Sequence, residues 1–329
     1  MGWLRDIFVS RTKDWYYSQL PVDPSPNTVA SKTVIADSEY ISVVLKSMRI
    51  VDVRKGLAKF YATVHSHIEV PYSTGKPAIF NYVTTPGTLE KLDSAHIDRV
   101  VNLNSRLLGP IPYRGADIKM EIGLFSIKEA DLAEPFINLL TSMSSLAGVS
   151  FINTALPYIG PLEKGFELLT GSGNDTVLEI GIKNEFSIIN TGYYVVIRAS
   201  KSSINVSDLK IDTNDFRLLY KNNTIVEDYP YMVFEISSSQ NRDDWFNIPE
   251  ISDSYNKLQE QVRKGIMEDV KNALTVFKLI VLTSPDLLIR DGKIIYKKVE
   301  NEITEIFATT TTSKSKSYQL KNLKEFSLS

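Results

Sequence analysis

Apolar positions along the chain hold one period, lose it, and then take up another. Over residues 31 to about 125 they alternate with polar ones in short runs, TVIA, EYISVVL, MRIVDV, KFYATVHSHIEV and AIFNYVTT, parted by Gly, Pro, Ser and Asp. Period-two runs bounded by turn formers predict strands, and short strands at this spacing predict a sandwich or an open antiparallel sheet. LLGPIPYRG, at 107–115, holds two prolines and two glycines and reads as a stiff connector; IKMEIGLFSI then gives a further strand. Next the period changes. Leu132, Phe136, Leu139, Leu140, Met143 and Leu146 recur at helical spacing, with Pro135 in the first turn and Gly148 as the stop. VSFINTALPYIG and the short helical pattern PLEKGFELLTG follow, so this part of the chain predicts a central apolar helical hairpin.

Strand patterns return in TVLEIGI, TGYYVVIRA and YPYMVFEIS, rich in Tyr, Val and Ile. After NRDDWFNIPE the period is helical again: Ile251, Tyr255, Leu258, Val262 and Ile266 form one stripe, and Val270, Leu274, Phe277 and Val281 continue it, with Gly265 dividing the two. SPDLLIRDGKIIYKKV predicts a hairpin turning over Asp291-Gly292, because Asp-Gly suits a tight two-residue turn. The expected fold class is therefore α+β, a strand-rich, antiparallel, sandwich-like body with the central hairpin and C-terminal helices. The expected organisation is an arm with a short amphipathic helix over 1–30, a β-rich domain over 31–127, an α+β domain over 128–299, and a polar, flexible tail over 300–329.

Composition narrows the class without naming a chemistry. A hydrophobic share of 43% and a charged share of 23% place the chain among ordinary globular proteins and argue against disorder along its whole length. The net charge of -2 and pI near 6.0 lack the basic excess that nucleic acid attracts, so nucleic acid is not expected as a partner. With no cysteine in the sequence, disulfides, thiolate catalysis and zinc–thiolate sites are excluded. The opening MGWLRDIFVSRTKDW has charges interrupting its apolar residues and no continuous apolar core, so it does not read as a secretory signal; a cytoplasmic protein is expected.

Three groups of residues invite a functional reading. In His65-Ser66-His67-Ile68-Glu69, pleat alternation sets two imidazoles and a carboxylate on one strand face, with neighbours about 6.5 to 7 Å apart, a spacing suited to chelating a divalent metal. A catalytic metal needs about three protein ligands, and the remaining histidine, His96, reads as part of a loop or helix. The alternative is that Phe60, Ala62, Val64, Ile68 and Val70 face inward and the histidines lie on the wet side. Asn241-Arg242-Asp243-Asp244-Trp245 is the densest polar cluster and reads as an ion or partner site, or else as a turn with an Arg–Asp pair over a packed Trp245. Trp3, Leu4, Ile7 and Phe8 form one helical face suited to docking on a membrane surface or a partner. Loop acids Asp208, Asp212, Asp215, Asp228 and Asp291 would have to gather at one end of the body to hold calcium. The 28 residues of 135–162 carry no charge and call for burial, although their Asn, Ser, Thr, Gly and Pro interrupt any membrane span.

No phosphate loop, dinucleotide fingerprint or nucleophile elbow is present. The expectation is a non-catalytic interaction or adaptor protein that acts with a protein partner in a multi-protein assembly and has no cofactor. The alternatives are a metal-dependent enzyme using His65, His67 and Glu69, and a peripheral C2-like membrane module or conditionally inserting effector.

Overall fold

A computed structural model describes residues 15–22, 30–51, 54–55, 58–71, 77–83, 101–128, 177–199, 202–310 and 318–328. Along the chain run β1 (Trp15–Gln19), β2 (Tyr40–Arg49), β3 (Arg54–Lys55), β4 (Ala58–Val70), β5 (Ala78–Val83), β6 (Val101–Pro112), β7 (Ile118–Lys128), β8 (Val177–Phe186), β9 (Gly192–Arg198), β10 (Leu209–Ile211), β11 (Leu218–Tyr220) and β12 (Tyr231–Ser239). Helices α1 (Pro249–Lys264), α2 (Met267–Thr283) and α3 (Ile289–Thr310) follow. The protein is α+β, with an antiparallel, strand-rich body and C-terminal helices. The central hairpin, within 129–176, and the arm bearing Trp3, Leu4, Ile7 and Phe8 lie outside the described residues, as does His96. The chain divides into two compact units, the first made of residues 1–34, 41–109 and 115–238, the second of 35–40, 110–114 and 239–329.

The first unit is built on two sheets. One has the order β1-β9-β12-β2-β6; the other has β3-β4-β7-β8, with β5 added on β4. Between them Ile41, Val43, Leu108 and Ile236 from the first sheet meet Ile68, Ile118, Met120 and Phe186 from the second. The gap left there is ≈ 10 Å³ and wholly apolar, at the lower limit for one water, so it stays dry. Tyr17, Tyr194 and Phe234 form a mutually contacting trio, at 5.3, 5.5 and 5.9 Å between ring centres, which locks β1, β9 and β12 together on one face. On the other face of the same strands Val195, Ile197, Tyr231 and Val233 are covered by Ile204, Leu209, Leu218 and Val226 from the excursion that carries β10 and β11. There the Tyr231 hydroxyl accepts the Leu218 N–H at 3.1 Å, and burial pushes its pKa up to about 12.

The stretch 107–112, expected as a stiff connector, is strand. Pro110 and Pro112 are tolerated because β6 stands at the end of its sheet, where a missing N–H breaks no second ladder.

The second unit is helical. Pro249 opens α1 at a position where its missing N–H costs nothing, and Gly265, at φ 72°, closes it by donating to Gln261 O and Val262 O. Ile251, Tyr255, Leu258 and Val262 of α1, Val270, Phe277 and Val281 of α2, and Ile295, Val299 and Ile303 of α3 are buried. Ile266, expected to continue the buried stripe, is instead exposed at the N-cap of α2, because the chain turns at Gly265 and the helical phase restarts.

The expected hairpin over Asp291-Gly292 is also corrected: both residues lie in the first turn of α3. A Cβ on Gly292 would come within 2.4 Å of Val281 O, so the glycine serves a close helix–helix approach and not a turn. Asp291 is buried and accepts the Tyr40 hydroxyl at 2.5 Å, while that hydroxyl in turn accepts the Leu288 N–H at 3.0 Å. Both α3, which runs on to Thr310, and the 318–328 segment, with Leu320, Leu323 and Phe326 buried, occupy the stretch whose polar composition suggested a tail.

Candidate functional site

β4 supplies the most concentrated polar chemistry of the first unit. It pairs with β5 on one side and β7 on the other, and Ala62, Val64, Ser66, Ile68 and Val70 are buried on one face, as alternation requires. On the opposite face Thr63 and His65 are buried as well, whereas His67 and Glu69 are half-buried. The wet-side reading therefore fails for His65: alternation separates two faces but does not say whether the second is covered. Burial is the main cause that lowers the His65 pKa to about 3, with the neighbouring His67 charge acting in the same direction, so the ring is neutral at ordinary pH. The hydroxyls of Thr63 and Ser66 are buried without a hydrogen-bond partner among the described residues.

Strand register extends this polar face sideways. His67 is level with Asn81 on β5 and Glu121 on β7, and Glu121 with Lys183 on β8, so four polar residues form one row across four strands. His67 Nδ1 lies 2.8 Å from Asn81 Oδ1 and its Nε2 lies 3.2 Å from Glu69 Oε1, while Lys183 pairs with Glu121. Both nitrogens of His67 are thus engaged by side chains of its own face, and a metal would have to displace one of them. His65 is level with Gly123, which brings no ligand. Among the described residues no group of three or more His, Cys, Asp or Glu side chains is placed to hold a metal ion.

In the second unit the Asn241–Trp245 cluster splits between surface and interior. Asn241 and Asp243 are exposed, whereas Arg242 and Trp245 are buried. Arg242 Nε donates to Asp244 Oδ1 at 2.8 Å, and its Nη1 donates to Asp286 O at 3.0 Å and Asp286 Oδ1 at 3.3 Å. The guanidinium thereby fastens the turn before α1 to the connection between α2 and α3. Asp286, which completes the cluster, follows Ser-Pro in an ordinary-looking turn, and only the buried arginine's need for a counter-charge hints at it. Nearby, Ser284 donates to Glu250 at 3.0 Å.

Among the described residues the loop acids form no group of three or more placed to hold a cation. Asp215 pairs with Arg217, Asp212 accepts the Asn214 N–H at 2.8 Å, and Asp208 lies 3.9 Å from Lys221, while Asp291 is buried in α3. No helix among the described residues is long and apolar enough to cross a membrane.

The helical period of α2 assigns only its buried stripe. Val276 and Leu279 are 54% and 63% exposed on the side away from Val270, Phe277 and Val281, where a surface helix ordinarily carries charge. They were legible as surplus apolar positions in MEDVKNALTVFKLIVLT, whose apolar residues exceed what one stripe uses. Comparison with known proteins finds no matching family model, no similar curated protein and no similar solved structure.

Proposed function

We infer that the chain is a non-catalytic interaction protein whose α2 presents an apolar contact to a protein partner. The observation that carries this reading is the outward pair Val276 and Leu279, one turn apart and more than half exposed. Apolar side chains set together on the solvent side of a helix gain most from being covered by another protein surface. The buried ion pairs and close glycine contact of the second unit support the reading by holding the helix rigid, which lowers the ordering cost of association. The Arg242 cluster belongs to this support and not to the contact itself, since its guanidinium is enclosed. The test is affinity capture from the native host with the wild-type chain and with Val276→Asp/Leu279→Asp in parallel. A partner retained by the first and lost by the second is the expected result.

A further inference from the structure

The 318–328 segment is seated on the helices of the second unit in the manner of a bound peptide. Its apolar residues Leu320, Leu323 and Phe326 recur at i, i+3 and i+6 and are all buried. Its main chain is read by side chains of α1 and α3: the Tyr255 hydroxyl donates to Lys321 O at 2.7 Å, Gln259 Nε2 donates to the same oxygen at 3.3 Å, and Lys298 Nζ donates to Ser327 O at 2.5 Å. Lys321 Nζ pairs with Glu302 at 2.8 Å. Rings complete the seat, with Phe326 edge-on to Tyr255 at 6.0 Å and Tyr318 stacked on Phe307 at 5.0 Å. Side chains that grip main-chain carbonyls, next to recesses that take spaced apolar residues, are how proteins recognise short peptides.

Two features mark the segment as a ligand of the helices and not a member of their core. It caps itself: Asn322 accepts the Lys324 N–H while Glu325 accepts the Asn322 N–H, so its single 3₁₀ turn is closed without help from α1 or α3. The sequence that joins α3 to the segment, TTSKSKS at 311–317, contains no apolar residue.

We propose that the groove formed by α1 and α3 is a peptide-binding site, held in cis by residues 318–328, and that it accepts in trans a partner segment with apolar residues at i, i+3 and i+6 and a lysine after the first. Occupancy in cis makes the site conditional. A tethered segment acts at an effective concentration on the order of millimolar, so a free peptide competes only when it binds better or when the tether is released. This surface is separate from the outward side of α2, and either can fail without the other.

The test uses the full chain with a protease site placed within 311–317. After cleavage, fluorescent peptide of sequence 318–328 is added and anisotropy is followed, beside the uncut chain. The expected result is saturable binding to the cut protein, about 100-fold weaker binding to the uncut protein, and binding weakened about 30-fold when the peptide carries Leu323→Asp. Retention of the cut fragment against a large excess of peptide until the protein unfolds would make the segment part of the core and overturn the proposal. Release of the fragment with no rebinding of peptide, or unfolding on cleavage, overturns it equally.

Discussion

Arg242 shows how much a single side chain decides here. It is fully enclosed, its charge is met by Asp244 and by an equally enclosed Asp286, and its donors also satisfy the Asp286 carbonyl. Removing one partner of a buried pair leaves the other charge without compensation, which costs about 3 to 5 kcal/mol. Arg242→Met is therefore expected to lower the unfolding free energy by that much, read from urea denaturation, and Arg242→Lys to recover only part, because an ammonium does not reproduce the guanidinium fork; unchanged unfolding of Arg242→Met would contradict the cluster as described. His65 makes a second residue-scale prediction. Its folded pKa, about 3, lies below the unfolded value of about 6.5, so the unfolded state takes up a proton first as pH falls. Stability is fully present above about 6.5 and is lost toward pH 3, at up to about 1.4 kcal/mol per unit from this group. Denaturation of wild type and His65→Gln across that range checks it: the difference between them should change with pH below 6.5 and stay constant above. Spacing pairs Arg242 with a nearby Asp over a packed Trp245, as found, but it misses Asp286 and sets His65 on a wet face where the structure buries it. Local spacing reports which side chains share a face, whereas cover on that face, and a partner such as Asp286, come from distant parts of the chain.

At the scale of elements, period was the reliable signal and dipeptides were not. The stripes of α1 and α2 and most strands of both sheets follow from where apolar residues recur, because burial of one face is what fixes each element. Asp291-Gly292 looked like a turn, yet Ile295, Val299 and Ile303 behind it already carried a helical period, and Gly292 answers to the Val281 carbonyl. Gly292→Ala follows as a prediction that separates the two readings. An alanine in a helix interior ordinarily stabilises by about 1 kcal/mol over glycine, but here the new methyl meets backbone, so the variant should unfold at lower temperature than wild type; a higher midpoint would mean that α2 and α3 do not approach so closely. β6 and the short pair β10 and β11 escaped the sequence reading for different reasons. β6 mixes polar residues with Gly and Pro as an edge strand can, and three-residue strands are too short to show a period.

For the whole molecule, the α+β class was legible and the function was not. Fold class depends on summed patterns, which many residues report together, whereas the proposed contact surface rests on a few residues that break the pattern, Val276 and Leu279. Charged replacements at two exposed positions should leave the fold intact, within about 1 kcal/mol, so the pair can be tested without confusing loss of contact with loss of structure. The most direct measurement is quantitative mass spectrometry of what the wild-type chain and the Val276→Asp/Leu279→Asp chain retain from the native host, both shown to be folded beforehand by thermal melting. At least one protein is expected near equal stoichiometry with the wild type and depleted tenfold or more, on the order of 1.4 kcal/mol, with the variant. Recovery of the chain alone, or of the same proteins in the same amounts with both, would contradict the proposed contact.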